Sequence, residues 1–221
     1  MIEVRDDFLP KDIFEKLKRD IVYNESFPWF LNEVLSLETE GTYMGRTGCS
    51  DDDNRQFCYL FYKTDQNKLK DRPHMGRELE KVIPLIQNYE FSNNQKYFLL
   101  HVKANLNIRT LKNIEHGFHR DHPWNGKTSV FYLNDNDGYT KFQNGQVVES
   151  KANRAVIFDS PELHTGSTPT DVYARYVINL NWVEDGSPQI VADDMPLTQK
   201  LIAEKTLNSC LLYTSPSPRD W

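Results

Sequence analysis

His119-Arg120-Asp121 sets an imidazole and a carboxylate two residues apart, and His164 follows in the turn-rich stretch Ser160-Pro161-Glu162-Leu163-His164-Thr165-Gly166. Two imidazoles and one carboxylate can hold a non-haem iron on one face, leaving the opposite positions open for a co-substrate and dioxygen. In a strand, residues i and i+2 point to the same side, so His119 and Asp121 can face one point inside a barrel. Alone the triplet is a weak signal. With six His and 18 Asp in the chain, a His-x-Asp is expected by chance in roughly half of such sequences. Eleven residues after His164, Arg175 opens the last strand candidate, on a face shared with Val177, Asn179 and Asn181. Such a face is costly to bury unless it meets an anion and hydrogen-bonding partners. A planar guanidinium matches a carboxylate.

Plainer roles compete for the same residues. His119 and Asp121 also fit a surface loop, and Tyr132 fits an ordinary strand aromatic. His116-x-x-His119-x-x-His122 could converge only on a helix, which Gly117 and Pro123 oppose, so His116 and His122 read as groups beside the pocket or at its rim. Trp124 suits a substrate-facing aromatic or a loop-packing residue equally. His101 falls on the polar face of its strand, and His74 in a loop. Asn134–Gly138 resembles a calcium loop, but Leu133 stands where the first carboxylate is needed, and no His-Glu-x-x-His occurs.

Elements that could position these residues are visible along the chain. Residues 10–24 read as a helix, with Pro10 in the first turn and Ile13, Phe14, Leu17 and Ile21 as one apolar stripe. A second helix fits residues 76–87, which Pro84 should kink or end. Residues 40–56 are polar, and the run Asp51-Asp52-Asp53 reads as a solvated loop. From Tyr97 the period changes to two: Leu100, Val102, Ala104, Leu106 and Ile108 alternate with His101, Lys103, Asn105, Asn107 and Arg109, the pattern of a half-buried strand. Further strands fit 128–133, 139–142, 146–150, 154–158 and 173–182, separated by Asp137-Gly138, Asn144-Gly145 and Ser160-Pro161, with Asn144-Gly145 as a hairpin turn. Helices followed by closely spaced strands predict an α+β domain, a β-sandwich or barrel buttressed by N-terminal helices.

Length and charge bound the rest. With 221 residues the chain suits one domain, expected over 1–209 with a helical part at about 1–95 and a β core at about 96–184. A net charge of −6 argues against a nucleic-acid partner held by a basic surface. The apolar runs are too short to span a bilayer and no signal peptide is visible, so a cytoplasmic location, without membrane, is expected. Cys49, Cys58 and Cys210 have no metal or pairing spacing and read as reduced thiols. Residues 210–221 break every pattern and look like a translated sequencing adapter; a native disordered tail is the other reading.

Residues 97–182 resemble the double-stranded β-helix (jelly-roll, cupin-like) core of the 2-oxoglutarate/Fe(II) oxygenases, in the prolyl-hydroxylase-like branch, and most of all the enzymes carried by marine bacteriophages. The series that carries the likeness is His119-x-Asp121, Thr128-Ser129-Val130-Phe131-Tyr132-Leu133-Asn134, Gly138-x-Thr140-x-Phe142, Arg154–Phe158, His164 and Arg175-Tyr176-Val177-Ile178-Asn179. The resemblance implies an Fe(II)- and 2-oxoglutarate-dependent dioxygenase that hydroxylates a C–H bond with release of succinate and CO2. It makes His119, Asp121 and His164 the iron ligands and Arg175 the partner of the 2-oxoglutarate C5 carboxylate. Tyr132 would join that carboxylate, Thr140 and Asn179 would line its pocket, and ascorbate would keep the iron reduced. The chain departs from the branch at Gly117 and Asn181, where many prolyl hydroxylases carry a tyrosine and a bulky aromatic, which leaves the substrate side open. A peptide or protein substrate is expected, or a small molecule. A nucleobase-demethylating oxygenase is the alternative, with Trp124 stacking a base and Arg109, Lys112 and Arg120 touching phosphates. From other classes, a cupin-like metalloprotein or a non-catalytic phage structural domain could use the same barrel.

Overall fold

A computed structural model describes residues 1–33, 55–64, 73–90, 94, 96–122 and 124–184. The acidic run at 51–53 and the tail at 210–221 lie outside the described residues.

Alternation becomes sheet where the sequence analysis expects it. The core strands are β5 (Tyr97–Ile108), β6 (Gly126–Tyr132), β7 (Tyr139–Phe142), β8 (Val147–Glu149), β9 (Ala155–Asp159), β10 (His164–Gly166) and β11 (Ala174–Glu184). Earlier in the chain come β1 (Glu3–Arg5), β2 (Phe30–Glu33), β3 (Arg55–Lys63) and β4 (His74–Met75). The main sheet runs β1-β9-β6-β11-β5-β3-β2, with β4 paired to β3; a small sheet runs β10-β7-β8. Every pairing is antiparallel. The stretch before residue 96, expected to be helical, therefore also supplies strands to the main sheet. His74 lies in β4 and not in a loop.

Each face of the main sheet has its own task. On the outer face Ile178, Leu180 and Trp182 of β11, Val102 and Ala104 of β5 and Phe131 of β6 pack with Phe14, Leu17 and Ile21 of helix α1 (Lys11–Ile21). Those three helix residues follow the stripe expected from the sequence, and each buried side chain contributes roughly 1.5–3 kcal/mol. Asp12 in the first turn and Lys18 and Arg19 in the last suit the helix dipole. On the inner face Val130, Tyr132, Val156, Phe158 and Val177 meet Phe142 and Val148 of the small sheet. The two sheets thus form a sandwich, and the site lies between them.

Two expectations need correction. The helix expected over 76–87 is a 3-10 turn, Leu79–Val82, followed by the short helix α2 (Ile83–Gln87). Pro84 sits at the start of α2, where its missing N–H is harmless, so it begins a helix and does not end one. Strand β5 is not half-buried in solvent: Asn105 and Asn107 are buried on its polar face, which lines an interior cavity. The hairpin at Asn144-Gly145 forms as expected, with Gly145 at φ +88° and the Asn144 side chain accepting from the Gln146 N–H. Among the described residues no helix is long and apolar enough to cross a membrane.

Asn153 ties the N-terminal segment to the sandwich. It adopts φ +62°; its Oδ1 accepts from the Leu9 N–H and its Nδ2 donates to the Leu9 carbonyl, both at 2.9 Å. Losing this clamp leaves buried backbone groups unpaired at roughly 1–3 kcal/mol each. Asn153→Ala should lower the melting temperature by about 5–10 °C. Asn153→Gly should fall less, because glycine removes the left-handed backbone penalty. A thermal melt of Asn153→Ala that matched the parent would refute the clamp.

Candidate metal centre

His119 and Asp121 sit on the crossing between β5 and β6, and the crossing is held by single antiparallel bridges, Glu115 to Ser167 and His119 to His164. The expected strand geometry is thus reduced to one bridge: the His119 N–H donates to the His164 carbonyl at 2.9 Å, and the His164 N–H returns the bond at 3.1 Å. That bridge brings the two imidazoles together, tilted at 46° with ring centroids 4.6 Å apart. Phe158 supports His164 from behind, edge-on at 4.6 Å.

The ligating atoms converge. His119, Asp121 and His164 each offer one donor atom, and all lie within 4.8 Å of one another. The Asp121 Oδ1 stands 3.7 Å from His119 Nε2 and 3.9 Å from His164 Nε2. An ion at roughly 2.0–2.2 Å from each donor needs them within about 4.4 Å of one another; both Asp121 distances meet that, and two imidazoles with one carboxylate are a donor set that suits a transition metal. Each imidazole is held by its other nitrogen: His119 Nδ1 is 3.2 Å from the Gly117 carbonyl, and His164 Nδ1 is 3.1 Å from the Glu162 carbonyl. A carbonyl only accepts, so Nδ1 carries the proton and Nε2 presents its lone pair to the metal position. Burial alone would push the Asp121 carboxyl up, but the positive charge of His164 and His119 when protonated, and the Asn181 amide, bring it down to about 2. It is a carboxylate at neutral pH, as a ligand must be.

Arg175 lies in the same space. The triad, Arg175, Thr140 and Asn179 all line one cavity of about 160 Å³. Arg175 is 2% exposed. Its Nε donates to Ser150 Oγ at 2.7 Å and its Nη2 to Thr140 Oγ1 at 3.2 Å, with the Tyr132 ring below it. Among the described residues no carboxylate pairs with it, and burial draws its pKa down from the ordinary arginine value. Gly166 keeps the space beside the guanidinium open, because a Cβ there would stand 3.3 Å from Nη1. A buried cation with its remaining donors turned on a cavity is a place for an anion.

Other expected residues fall differently. Tyr132 is fully buried and donates to Thr140 Oγ1 at 2.7 Å. It does not line the cavity, so it supports the Arg175–Thr140 pair from behind. Trp124 packs on Phe98, Leu100 and Val183 and stacks on His122 at 5.5 Å, away from the cavity lining. That is its packing role. His116 lines the cavity, whereas His122 does not. Cys58 is a free thiol. Residues that the sequence analysis left without a role also face the site: Ser150 on Arg175, Gln56 bonded to Asn107 at 2.8 Å, and Asn181 on Asp121 at 2.7 Å. For Asn181 a signal was available, since it shares the inward face of Arg175.

No protein-family model and no curated protein matches the chain. Solved structures do. An oxidoreductase of the 2OG-Fe(II) oxygenase family from Burkholderia pseudomallei superposes with a TM-score of 0.56 at 13% identity, over 85% of this chain and 87% of that one. The non-heme alpha ketoglutarate dependent epimerase SnoN from nogalamycin biosynthesis gives 0.53 at 12% identity, over 88% and 82%. A prolyl hydroxylase from Trichoplax adhaerens, in complex with a peptide fragment of the hypoxia inducible factor oxygen degradation domain, gives 0.50 at 13% identity, over 83% and 84%. The fold is the double-stranded β-helix of the 2-oxoglutarate/Fe(II) oxygenases. The cavity with the His-Asp-His set and Arg175 is lined by residues of both sheets, from β5, β6 and β11 on one side and β7 and β10 on the other.

Proposed function

We propose that this chain is an Fe(II)- and 2-oxoglutarate-dependent dioxygenase that hydroxylates a C–H bond of its substrate. The observation that carries the reading is the buried Arg175 guanidinium, without a carboxylate partner among the described residues, in the same cavity as the His119–Asp121–His164 set. A cupin-like metalloprotein would need the donor set but not the buried cation. A non-catalytic domain would need neither.

His119 and His164 would hold the iron through Nε2 and Asp121 through Oδ1. Bound iron would supply the oxidising chemistry, in which dioxygen and 2-oxoglutarate yield succinate, CO2 and a hydroxylated product. Arg175, with Thr140 at its edge, would fix the far carboxylate of 2-oxoglutarate, and Tyr132 would keep Thr140 in place. Burial raises the Tyr132 pKa, so its hydroxyl stays a donor. Val130 and Val177 give the cavity its apolar wall.

For the substrate, a peptidyl, prolyl-hydroxylase-like reaction is the reading the motif series supports. Nucleobase demethylation would need an aromatic to stack the base, and Trp124 is occupied in packing against Phe98 and Leu100. The test is succinate release with Fe(II), 2-oxoglutarate and ascorbate, offered proline-containing peptides, methylated oligonucleotides and small metabolites. Stimulation by the peptides is expected. Stimulation by the oligonucleotides alone would replace the substrate assignment, and no 2-oxoglutarate consumption under any condition would refute the enzyme.

A further inference from the structure

The Asp121 oxygen turned away from the imidazoles accepts from Asn181 Nδ2 at 2.7 Å. Asn181 is 4% exposed and stands beside an irregularity in the pairing of β11 with β5, between Asn181 and Trp182. Such bulges re-aim side chains next to sites. Chemistry fixes which way its amide points. A carboxylate only accepts, so the NH2 group must face Asp121. The second amide hydrogen goes to Thr128 Oγ1 at 3.1 Å, and the Thr128 hydroxyl gives its own hydrogen to Ser160 Oγ at 3.1 Å. The amide carbonyl is then left 3.3 Å from His101 Nδ1. Because that carbonyl can only accept, His101 must carry its proton on Nδ1. Burial, with Lys103 nearby, holds the His101 pKa at about 4, so the ring is neutral and Nε2 is bare. His101 lines the cavity.

We propose that Asn181 is a positioning residue with two tasks: it holds Asp121 with one carboxylate oxygen toward the metal, and it locks His101 in the tautomer that presents a bare Nε2 to the cavity. The inference rests on the triad being an iron site. One carboxamide thereby links the metal side of the cavity to the His101 side. The bare Nε2 accepts a hydrogen bond and cannot donate one, so it favours an N–H or O–H near the carbon to be oxidised. A peptide backbone offers such an N–H.

Two measurements test this without turnover. Long-range proton–nitrogen NMR on the metal-free protein reads the His101 tautomer, and anaerobic Fe(II) titration reads the metal. The parent should show a protonated Nδ1 and a bare Nε2. Asn181→Ala should mix the tautomers and weaken Fe(II) binding by about 10- to 100-fold, the usual range for a group that orients a ligand. Thr128→Val, close in shape, removes the second acceptor and the bond to Ser160; Asp121 still orients the amide, so the tautomer should hold, with a smaller loss of Fe(II) affinity. His101→Phe should leave Fe(II) affinity unchanged. A folded Asn181→Ala variant that bound Fe(II) as tightly as the parent would overturn the proposal, and so would a parent His101 protonated on Nε2. A parent that bound no Fe(II) would sink the reading of the triad itself, which is a separate outcome.

Discussion

His164→Ala is expected to lose Fe(II) affinity by more than about a hundredfold and to lose turnover with it. Groups that merely orient a ligand are worth 10–100-fold in affinity, so removing a donor atom must exceed that. His164 is buried in β10, its Nδ1 turned to the Glu162 carbonyl and its Nε2 toward Asp121. Neighbouring water cannot restore the same geometry, because the two remaining donors both sit on the crossing between β5 and β6. The variant also loses the ring packed on Phe158, so a modest fall in melting temperature accompanies the loss. The backbone bridge to His119 needs no side chain and should persist. Anaerobic titration with circular dichroism on the same sample separates the two effects. A folded His164→Ala protein with parental Fe(II) affinity would remove His164 from the ligand set.

Arg175→Ala should weaken 2-oxoglutarate binding by about ten- to a hundredfold, since a hydrogen bond to a charged group contributes roughly 1.5–3 kcal/mol. Arg175→Lys should recover part of the loss: the charge survives, but the fork that reaches both Ser150 and Thr140 does not. Truncation also leaves the Thr140 and Ser150 hydroxyls without the guanidinium, so the pocket floor loosens as well as losing its charge. The readout is 2-oxoglutarate KM in the succinate assay, set beside direct titration of the Fe(II)-loaded protein. An unchanged KM in Arg175→Ala would exclude the role.

Much of the site was legible because its chemistry is carried by residue type at fixed order. His-x-Asp, a later His and an inward Arg on an alternating strand leave few other uses when they occur together. Strands β5 to β9 and β11 were legible because antiparallel pairing imposes a period of two and turn residues mark their ends, whereas β10 lies in a stretch that reads as turn. β3 was missed for the opposite reason. In Arg55–Lys63 both faces are apolar: Tyr59 and Phe61 join the core with Tyr62, so alternation vanishes and only a short apolar run remains. β5 shows a further limit. Polar residues at every second position look the same whether they face water or a cavity, and only the fold distinguishes them. Pro84 misled because its effect depends on its place within a helix, which periodicity locates only to a few residues. For Tyr132 a strand position gives the side on which its hydroxyl lies but not its reach, and the structure shows that hydroxyl on Thr140.

The crossing that carries His119 and Asp121 is bridged to His164 of β10 and to Ser167 just after it, and Asp121 is attached to β11 through Asn181. Three-residue β10 is the edge of the small sheet, paired there with β7. An ion bound there would act as a rivet through the seam between the sheets, joining a crossing segment, a short edge strand and the main sheet at one point. Loading and local folding would then be a single equilibrium, because ligands preassembled in the folded state are scattered in the unfolded one.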